Sequence, residues 1–190
     1  MKKLLIGLVL GAAAAGTGVY LYQRSHNAPA SGPTNTAGST LSMASQGKKD
    51  VGAALRNVAM TGAVLVVKSG ESIQAAVVKA KPGDTIKVMP GVYKETVYID
   101  KDNIAIVGVI VDGEWPLMDG ERKLNDAILY SGSGIRIENM KITHYKGNGI
   151  MGQAGNNFVI RYNWIVDTGV YGIFPEFGKN GLIEYNVVSG

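Results

Sequence analysis

The last third of the chain repeats itself with a period of about 23–24 residues, and this repeat limits the folds that the chain can adopt. Three segments rich in Ile and Val align, and Asn139, Asn163 and Asn186 fall one such period apart. Gly149-Ile150 matches Gly172-Ile173 at nearly the same interval. A period of this length suits one coil of a solenoid in which three short strands pair in parallel with those of the next coil, about 4.8 Å away. The repeat therefore predicts an all-β, parallel β-helix.

The three aligned asparagines predict a structural ladder. Asparagine tolerates the left-handed bend between two strands, and its amide can hydrogen-bond the equivalent amide one coil away. Three unrelated turn asparagines are the alternative. The matched apolar flanks and the second Gly-Ile repeat favour the ladder.

Ordered structure is predicted from residue 63 to residue 190, beginning with a short strand and an amphipathic helix. The helix is expected from Ser72 to Ala80, because Ile73, Ala76 and Val77 fall on one face with Ala80. Such a helix can cover the open apolar end of a solenoid, whereas its short length and lack of a basic face argue against a membrane-surface role. Brief strands are predicted after it, at residues 85–89, 92–94, 96–99 and 104–111.

Residues 1–30 are predicted to direct export. Lys2 and Lys3 precede an uncharged stretch from Leu4 to Tyr22, and Ala28-Pro29-Ala30 offers a small-x-small cleavage pattern. The stretch is also long enough to span a bilayer, so a cleaved signal peptide and an uncleaved membrane anchor remain alternatives. Either one predicts a periplasmic, secreted or membrane-tethered protein that meets the membrane only through this segment.

Residues 31–62 are rich in Ser, Gly, Ala and Thr, which predicts a flexible linker with a short helix within Val51 to Met60. The net charge of +4 comes largely from the export segment. Without Lys2, Lys3 and Arg24, 16 basic residues face 15 acidic ones, a net charge of +1. A near-neutral folded region argues against nucleic-acid binding, which needs a clustered basic surface.

The residues at 72–76, 82–86 and 90–93 resemble the opening of pectin-lyase-like right-handed β-helix proteins. The segment from Gly147 to Val188 resembles the bacterial parallel β-helix repeat proteins. Together the two resemblances cover residues 64 to 190 and imply a right-handed parallel β-helix with a short N-terminal capping helix. Because the shared motifs are structural, they indicate the fold more than an activity.

Residues 112 to 134 are predicted to form a long excursion from the coils. The resemblance implies that its carboxylates serve polysaccharide chemistry, as acid/base groups or as ligands of Ca²⁺, for which Asp112, Glu114 and Asp119 are the candidates. The favoured alternative is a solvated loop with two Asp-Gly turns, in which no cofactor is bound. The full set of catalytic candidates is Asp112, Glu114, Asp119, Glu121 and His144. For His144, a surface turn is the alternative role.

Aromatic and acidic side chains are the candidates for sugar binding. Trp115, Tyr171 and Glu176 are placed first, since an aromatic ring can stack on a sugar. A wider set could line a groove along the stacked coils, although some of its members must be core or turn residues: Tyr162, Trp164, Tyr171, Phe174, Glu176 and Tyr185.

Two functions remain open. The favoured hypothesis is a non-catalytic envelope or surface protein that binds carbohydrate or acts as a spacer. The alternative is a polysaccharide lyase, epimerase or glycoside hydrolase whose active site is incomplete in this chain. Because the last coil reaches Gly190 without a polar cap, we also expect either a longer protein or self-association through that coil.

Overall fold

Strands of three or four residues alternate with tight turns throughout the structure, which is a computed structural model that describes residues 51–190. Two short helices accompany the strands, α1 at Val51–Arg56 and α2 at Ile73–Lys79. The strands are β1 Val64–Val67, β2 Thr85–Val88, β3 Gly91–Tyr93, β4 Val97–Ile99, β5 Ala105–Gly108, β6 Pro116–Asp119, β7 Ile128–Tyr130, β8 Arg136–Glu138, β9 Lys141–Thr143, β10 Ile150–Gln153, β11 Val159–Arg161, β12 Trp164–Val166, β13 Ile173–Glu176, β14 Leu182–Glu184 and β15 Val187–Ser189.

The strands form three parallel sheets that wind into a right-handed solenoid. Sheet A has the order β1-β2-β5-β8-β11-β14, sheet B the order β3-β6-β9-β12-β15, and sheet C the order β4-β7-β10-β13. Each complete coil contributes one strand to each sheet and pairs in register with the coils before and after it. The predicted right-handed parallel β-helix is confirmed.

Inward-facing side chains stack into continuous apolar columns inside the solenoid. In sheet A, Ile86, Ile106, Ile137 and Ile160 lie in register and are fully buried. Each such side chain contributes roughly 1.5–3 kcal/mol on burial. Because the next coil completes the burial of the one before it, Ile183 in the last coil of the same column is half exposed. Self-association through that coil stays a prediction.

The coils differ in length, and the longest one corrects the predicted excursion. Successive coils advance in sheet A from Thr85 to Ala105, from there to Arg136, and then to Val159, and the middle step is the longest. This coil is not one long loop, because it contains β6 and β7 in register with their neighbours. Only residues 109–115 and 120–127 leave the coil path. Strands β6 and β7 are only four and three residues long, so their alternation of apolar and polar residues was too short to be recognised in the sequence.

Asn163 and Asn186 form the polar ladder at the bend between sheets A and B. The Asn163 amide nitrogen donates to Asn186 Oδ1 at 3.0 Å and to the Ile137 carbonyl at 3.0 Å. Asn163 Oδ1 accepts the backbone N–H of Met140. Asn163 is 1% exposed, so these bonds satisfy groups that water cannot reach.

The predicted place of Asn139 in this ladder is wrong by one residue. Glu138 pairs with Arg161, which puts Asn139 opposite Tyr162 and leaves Met140 at the position of Asn163. Asn139 and Tyr162 take the left-handed conformation, with φ of 57° and 58°, as does the next residue of that column, Tyr185. The left-handed position and the ladder position are therefore neighbours. The interval from Asn139 to Asn163 is longer by one residue than that from Asn163 to Asn186, and this inequality reflects the slip.

The predicted capping helix is present as α2, and the first coil holds it at both ends. Glu95 accepts the backbone N–H groups of Ile73 and Gln74 at its N-terminus. At the other end the Lys101 ammonium donates to three carbonyls of the last turn, those of residues 77, 78 and 80. A negative group at the start of a helix and a positive group at its end both stabilise it. The apolar face of α2 thereby stays over the end of the core.

Helix α1 confirms the short helix predicted within Val51 to Met60 and packs on sheet A. The guanidinium of Arg136, which is largely buried, donates to the carbonyls of Leu55 and Val58. Arg56 forms a two-nitrogen contact with Glu184 of the last coil. This part of the predicted linker is thus bound to the solenoid.

The predicted export segment and residues 31–50 of the linker lie outside the described residues. Between Val51 and Gly190, neither helix has the length and apolar character required to cross a bilayer.

The ladder predicts unequal effects for two similar substitutions. Asn163→Ala should lower the free energy of unfolding by about 2–4 kcal/mol, because partners in the coils on both sides lose their hydrogen bonds. Asn139→Ala should cost only about 1 kcal/mol, the penalty for a left-handed alanine. Urea unfolding of both variants measures the difference. Equal losses would contradict this register of the ladder.

The attachment of α1 should depend on pH through Glu184. Its hydrogen bond with Arg56 lowers the pKa of the Glu184 carboxyl below its ordinary value of 4.5. The stabilisation is therefore complete above that ordinary value and is lost as the pH falls through the lowered one. Amide exchange in residues 51–56 should be faster in Glu184→Gln than in the wild type at pH 7. The two proteins should converge once the carboxyl is protonated; identical exchange at pH 7 would exclude this role.

Candidate functional site

The outer face of sheet B carries the candidate functional site, because β6, β9 and β12 align their outward residues across successive coils. Leu117, Lys141 and Trp164 form one column, and Asp119, Thr143 and Val166 form a second column nearer the strand ends. The residues between these columns, such as Ile142 and Ile165, face the core and are fully buried. The strand alternation thus separates the core residues from an outward-facing set, of which Thr143 is itself buried and the others are at least partly exposed.

An aromatic surface occupies the beginning of these strands. Trp164 is 40% exposed, and Trp115, which precedes β6, meets it edge to face with 6.3 Å between ring centroids. The Lys141 ammonium lies 4.5 Å from the centroid of the Trp164 ring. The cation and the second tryptophan therefore hold the Trp164 ring in one orientation.

Two tyrosines extend this surface over the bend between sheets A and B. Tyr162 and Tyr185 occupy equivalent positions in adjacent coils, and their rings stack 5.3 Å apart with an interplanar angle of 5°. The guanidinium of Arg161 lies 5.3 Å from the centroid of the Tyr162 ring. Both tyrosines are substantially exposed. We call Trp115, Tyr162, Trp164 and Tyr185 the aromatic surface.

A charged cluster occupies the other end of the same strands and centres on His144. Its Nδ1 lies 3.0 Å from Asp119 Oδ1, and its Nε2 lies 3.5 Å from Asp167 Oδ2. His144 has φ of 57°, a left-handed conformation that is uncommon for a non-glycine residue, and its side chain is 39% exposed. An imidazole between two carboxylates can carry a proton and exchange it with a ligand at the surface.

The loop at residues 120–127 surrounds this cluster with paired charges. Arg122 contacts Asp167, and Glu121 lies between Lys94, at 2.5 Å, and Lys123, at 3.2 Å. Hydrogen bonds from the two lysines lower the pKa of the Glu121 carboxyl, and the bond with Glu121 raises the pKa of Lys94. Glu121 is therefore a charged partner of lysines, which makes it a poor proton donor.

The structure separates the residues that were the candidates for binding Ca²⁺. Asp112 and Gly113, with φ of 51° and 83°, form the tight turn of a small hairpin closed by Val111 and Glu114. The hairpin, with Asp112 and Glu114, precedes β6, whereas Asp119 is the last residue of β6. The three carboxylates therefore do not converge. Within residues 51–190 no group of three His, Asp or Glu side chains is arranged to hold a metal ion.

The predicted sugar-binding residues lie on two different faces. Trp115 belongs to the aromatic surface of sheet B. Tyr171 lies at the bend between sheets B and C, where its ring packs 4.8 Å from that of Phe174, and Glu176 ends β13 in sheet C. Buried Asp126 has a structural role, accepting the backbone N–H of Asn148 at this bend.

Sequence reasoning did not single out Lys141, Asp167 or Arg122. Lys141 and Asp167 each follow the period of the coils, opposite Trp164 and His144 respectively. Aligning the coils in the correct register would have found both. Arg122 lies in a loop that only one coil contains, so no repeat points to it.

Comparison with known proteins agrees with the observed architecture. Residues 85–190 match the protein family described as the right-handed beta helix region. The chain belongs to this family. No curated protein and no solved structure was found to match the chain. Family membership establishes the fold of the repeat and does not identify a ligand.

Proposed function

We propose that this right-handed β-helix protein is exported to the cell envelope or surface and binds a glycan there through the aromatic surface of sheet B. The observation that supports this most strongly is the exposed, oriented Trp164 ring, with Trp115 and Lys141 against it and the Tyr162–Tyr185 stack beside it. The basic and apolar pattern of residues 1–22 supports export.

The chemistry of a sugar ring suits such a surface. A pyranose has one face of C–H groups that packs on an aromatic ring, while its hydroxyls remain free to bond with water or polar side chains. Large rigid rings supply contact area with little loss of conformational entropy. Exposing a cluster of such rings to water is costly unless a ligand covers them.

The repeat also suggests how a polymer would lie. Equivalent positions recur about every 4.8 Å along the axis of the solenoid. A polysaccharide lying along that axis would contact equivalent positions in successive coils, such as Tyr162 and Tyr185. Lys141 beside the Trp164 ring favours a glycan with carboxylate groups over a neutral one.

Trp164→Ala should weaken glycan binding by about tenfold or more, because it removes the central ring of the surface. Tyr171→Ala is the matched control, since Tyr171 is an exposed aromatic residue at the other bend of the coil. Affinity electrophoresis or calorimetry with polygalacturonate, alginate and neutral glycans, with and without Ca²⁺, measures both variants. If Tyr171→Ala weakens binding and Trp164→Ala does not, the glycan binds near Tyr171 instead of on sheet B, and the proposed site is wrong. If no glycan binds at all, the spacer function is favoured.

A polysaccharide-cleaving or epimerising enzyme is a second candidate, supported by the contact of His144 with Asp119. The two groups lie at the ends of β6 and β9, three strand positions or fewer beyond Leu117 and Lys141. A glycan that runs along the strands from the aromatic surface, as well as across the coils, would therefore reach a general acid or base. Asp119 would orient the imidazole through Nδ1 and leave Nε2, on the Asp167 side, for proton transfer.

For this candidate, His144→Asn should reduce turnover by about 10²–10⁴-fold while leaving glycan affinity unchanged. Asparagine is the appropriate replacement because it tolerates the left-handed conformation of this residue. Release of reducing ends and of unsaturated uronate from the bound glycans measures activity. Absence of turnover by the wild type on every glycan that it binds would exclude the enzyme and leave the binding protein.

A further inference from the structure

Within residues 51–190, the first strand of sheet A has a free backbone edge. Among these residues strand β1 pairs with β2 alone, and its residues alternate in the direction of their backbone groups. Ala63 and Val67 accept hydrogen bonds from Thr85 and Met89, on the β2 side. The N–H and C=O groups of Val64 and Val66 therefore point the other way. In the part of the chain that the structure describes, no strand pairs with that side of β1.

The corresponding edge of sheet C, at β4, is covered, in contrast to that of β1. There the side-chain amide of Gln74, in α2, bonds both backbone groups of Tyr98 in β4. Proteins usually cover or charge their edge strands, because an unpaired edge accepts another strand. In the described part of the chain strand β1 has neither protection: its four residues are Val-Leu-Val-Val, with Val64 56% and Val66 51% exposed.

Two clefts flank this edge, one on each face of the sheet, and Val66 lines both. The inner cleft, of about 260 Å³, lies between β1 and α2, and its lining includes the small side chains of Ala75 and Ala76 together with Leu65. The outer cleft, of about 550 Å³, has an apolar floor that includes Met89 and Val111. Side chains of an added strand would alternate between these two faces.

We propose that the free edge of β1 is a strand-addition site for an extended peptide segment of a partner protein. Backbone groups of the peptide would pair with those of Val64 and Val66 and extend sheet A by one strand. In this mode of recognition the backbone supplies affinity, and the clefts beside the edge select alternate side chains. This site is at the N-terminal end of the solenoid and does not depend on the proposed glycan binding.

The charges of the outer cleft define the partner. Asp112 and Glu114 of the hairpin stand on its rim with Lys68, and within residues 51–190 neither carboxylate has an ion pair. An Arg or Lys of the peptide could lay its aliphatic stem over Val66 and bring its cation to these carboxylates. The neighbouring side chain, facing Ala75 in the inner cleft, must be small and apolar. The partner segment therefore carries a basic residue between small apolar residues.

A fluorescein-labelled decapeptide with a central Val-Ala-Arg-Ala-Val sequence tests the proposal by fluorescence anisotropy with the full chain. We expect saturable binding. Replacing the arginine of the peptide by glutamate should weaken binding by about tenfold, as should the double substitution Asp112→Asn with Glu114→Gln. Methylating the peptide backbone nitrogens that face β1 should abolish it, because the paired donors are lost.

Two substitutions in α2 form a matched pair. Ala75→Glu fills the inner cleft and should abolish binding, whereas Val78→Glu, on an exposed position outside both clefts, should leave it unchanged. Circular dichroism establishes that both variants fold. The proposal is overturned if the peptide shows no saturable binding up to about 1 mM. Equal binding to the Ala75→Glu and Val78→Glu variants, or to the methylated peptide, would also overturn it.

Discussion

The constant register of parallel pairing between coils is the constraint on which the structure depends. Each residue faces its equivalent in the next coil, so one inward position becomes a buried column and one outward position becomes a surface column. Ile106, Ile137 and Ile160 show the first consequence, and Lys141 with Trp164 shows the second. The amides of buried Asn163 and half-buried Asn186 stabilise this register, because a slip of one residue would leave them without partners.

Much of the fold could be predicted from sequence, because repetition reveals long-range pairing that is otherwise hidden. The match of Gly149 with Gly172 gave the register of β10 and β13 correctly. The prediction of the ladder failed at Asn139, because asparagine is suited both to the left-handed position and to the neighbouring amide position. Strands β6 and β7 escaped prediction because their coil has two insertions, which remove the constant period.

The candidate site was only partly accessible to the same reasoning. Trp115 and His144 could be chosen by residue type, and the structure places both on the sheet B side of the coil. The contacts that orient them come from other coils, since Trp164 lies two coils beyond Trp115 and Asp167 lies one coil beyond His144. Residue type also grouped the carboxylates of Asp112 and Asp119 as candidates, although they lie before and after β6. The length of β6 separates the two carboxylates. Because this strand was not recognised from the sequence, the separation could not be predicted.

The central claim is that sheet B presents the binding face of this β-helix. A crystal structure with a bound oligosaccharide of the tightest-binding glycan tests it most directly. The account predicts sugar rings on Trp164 and the Tyr162–Tyr185 stack, with the chain lying across successive coils towards His144. An oligosaccharide bound on sheet C, beside Tyr171 and Phe174, would contradict it.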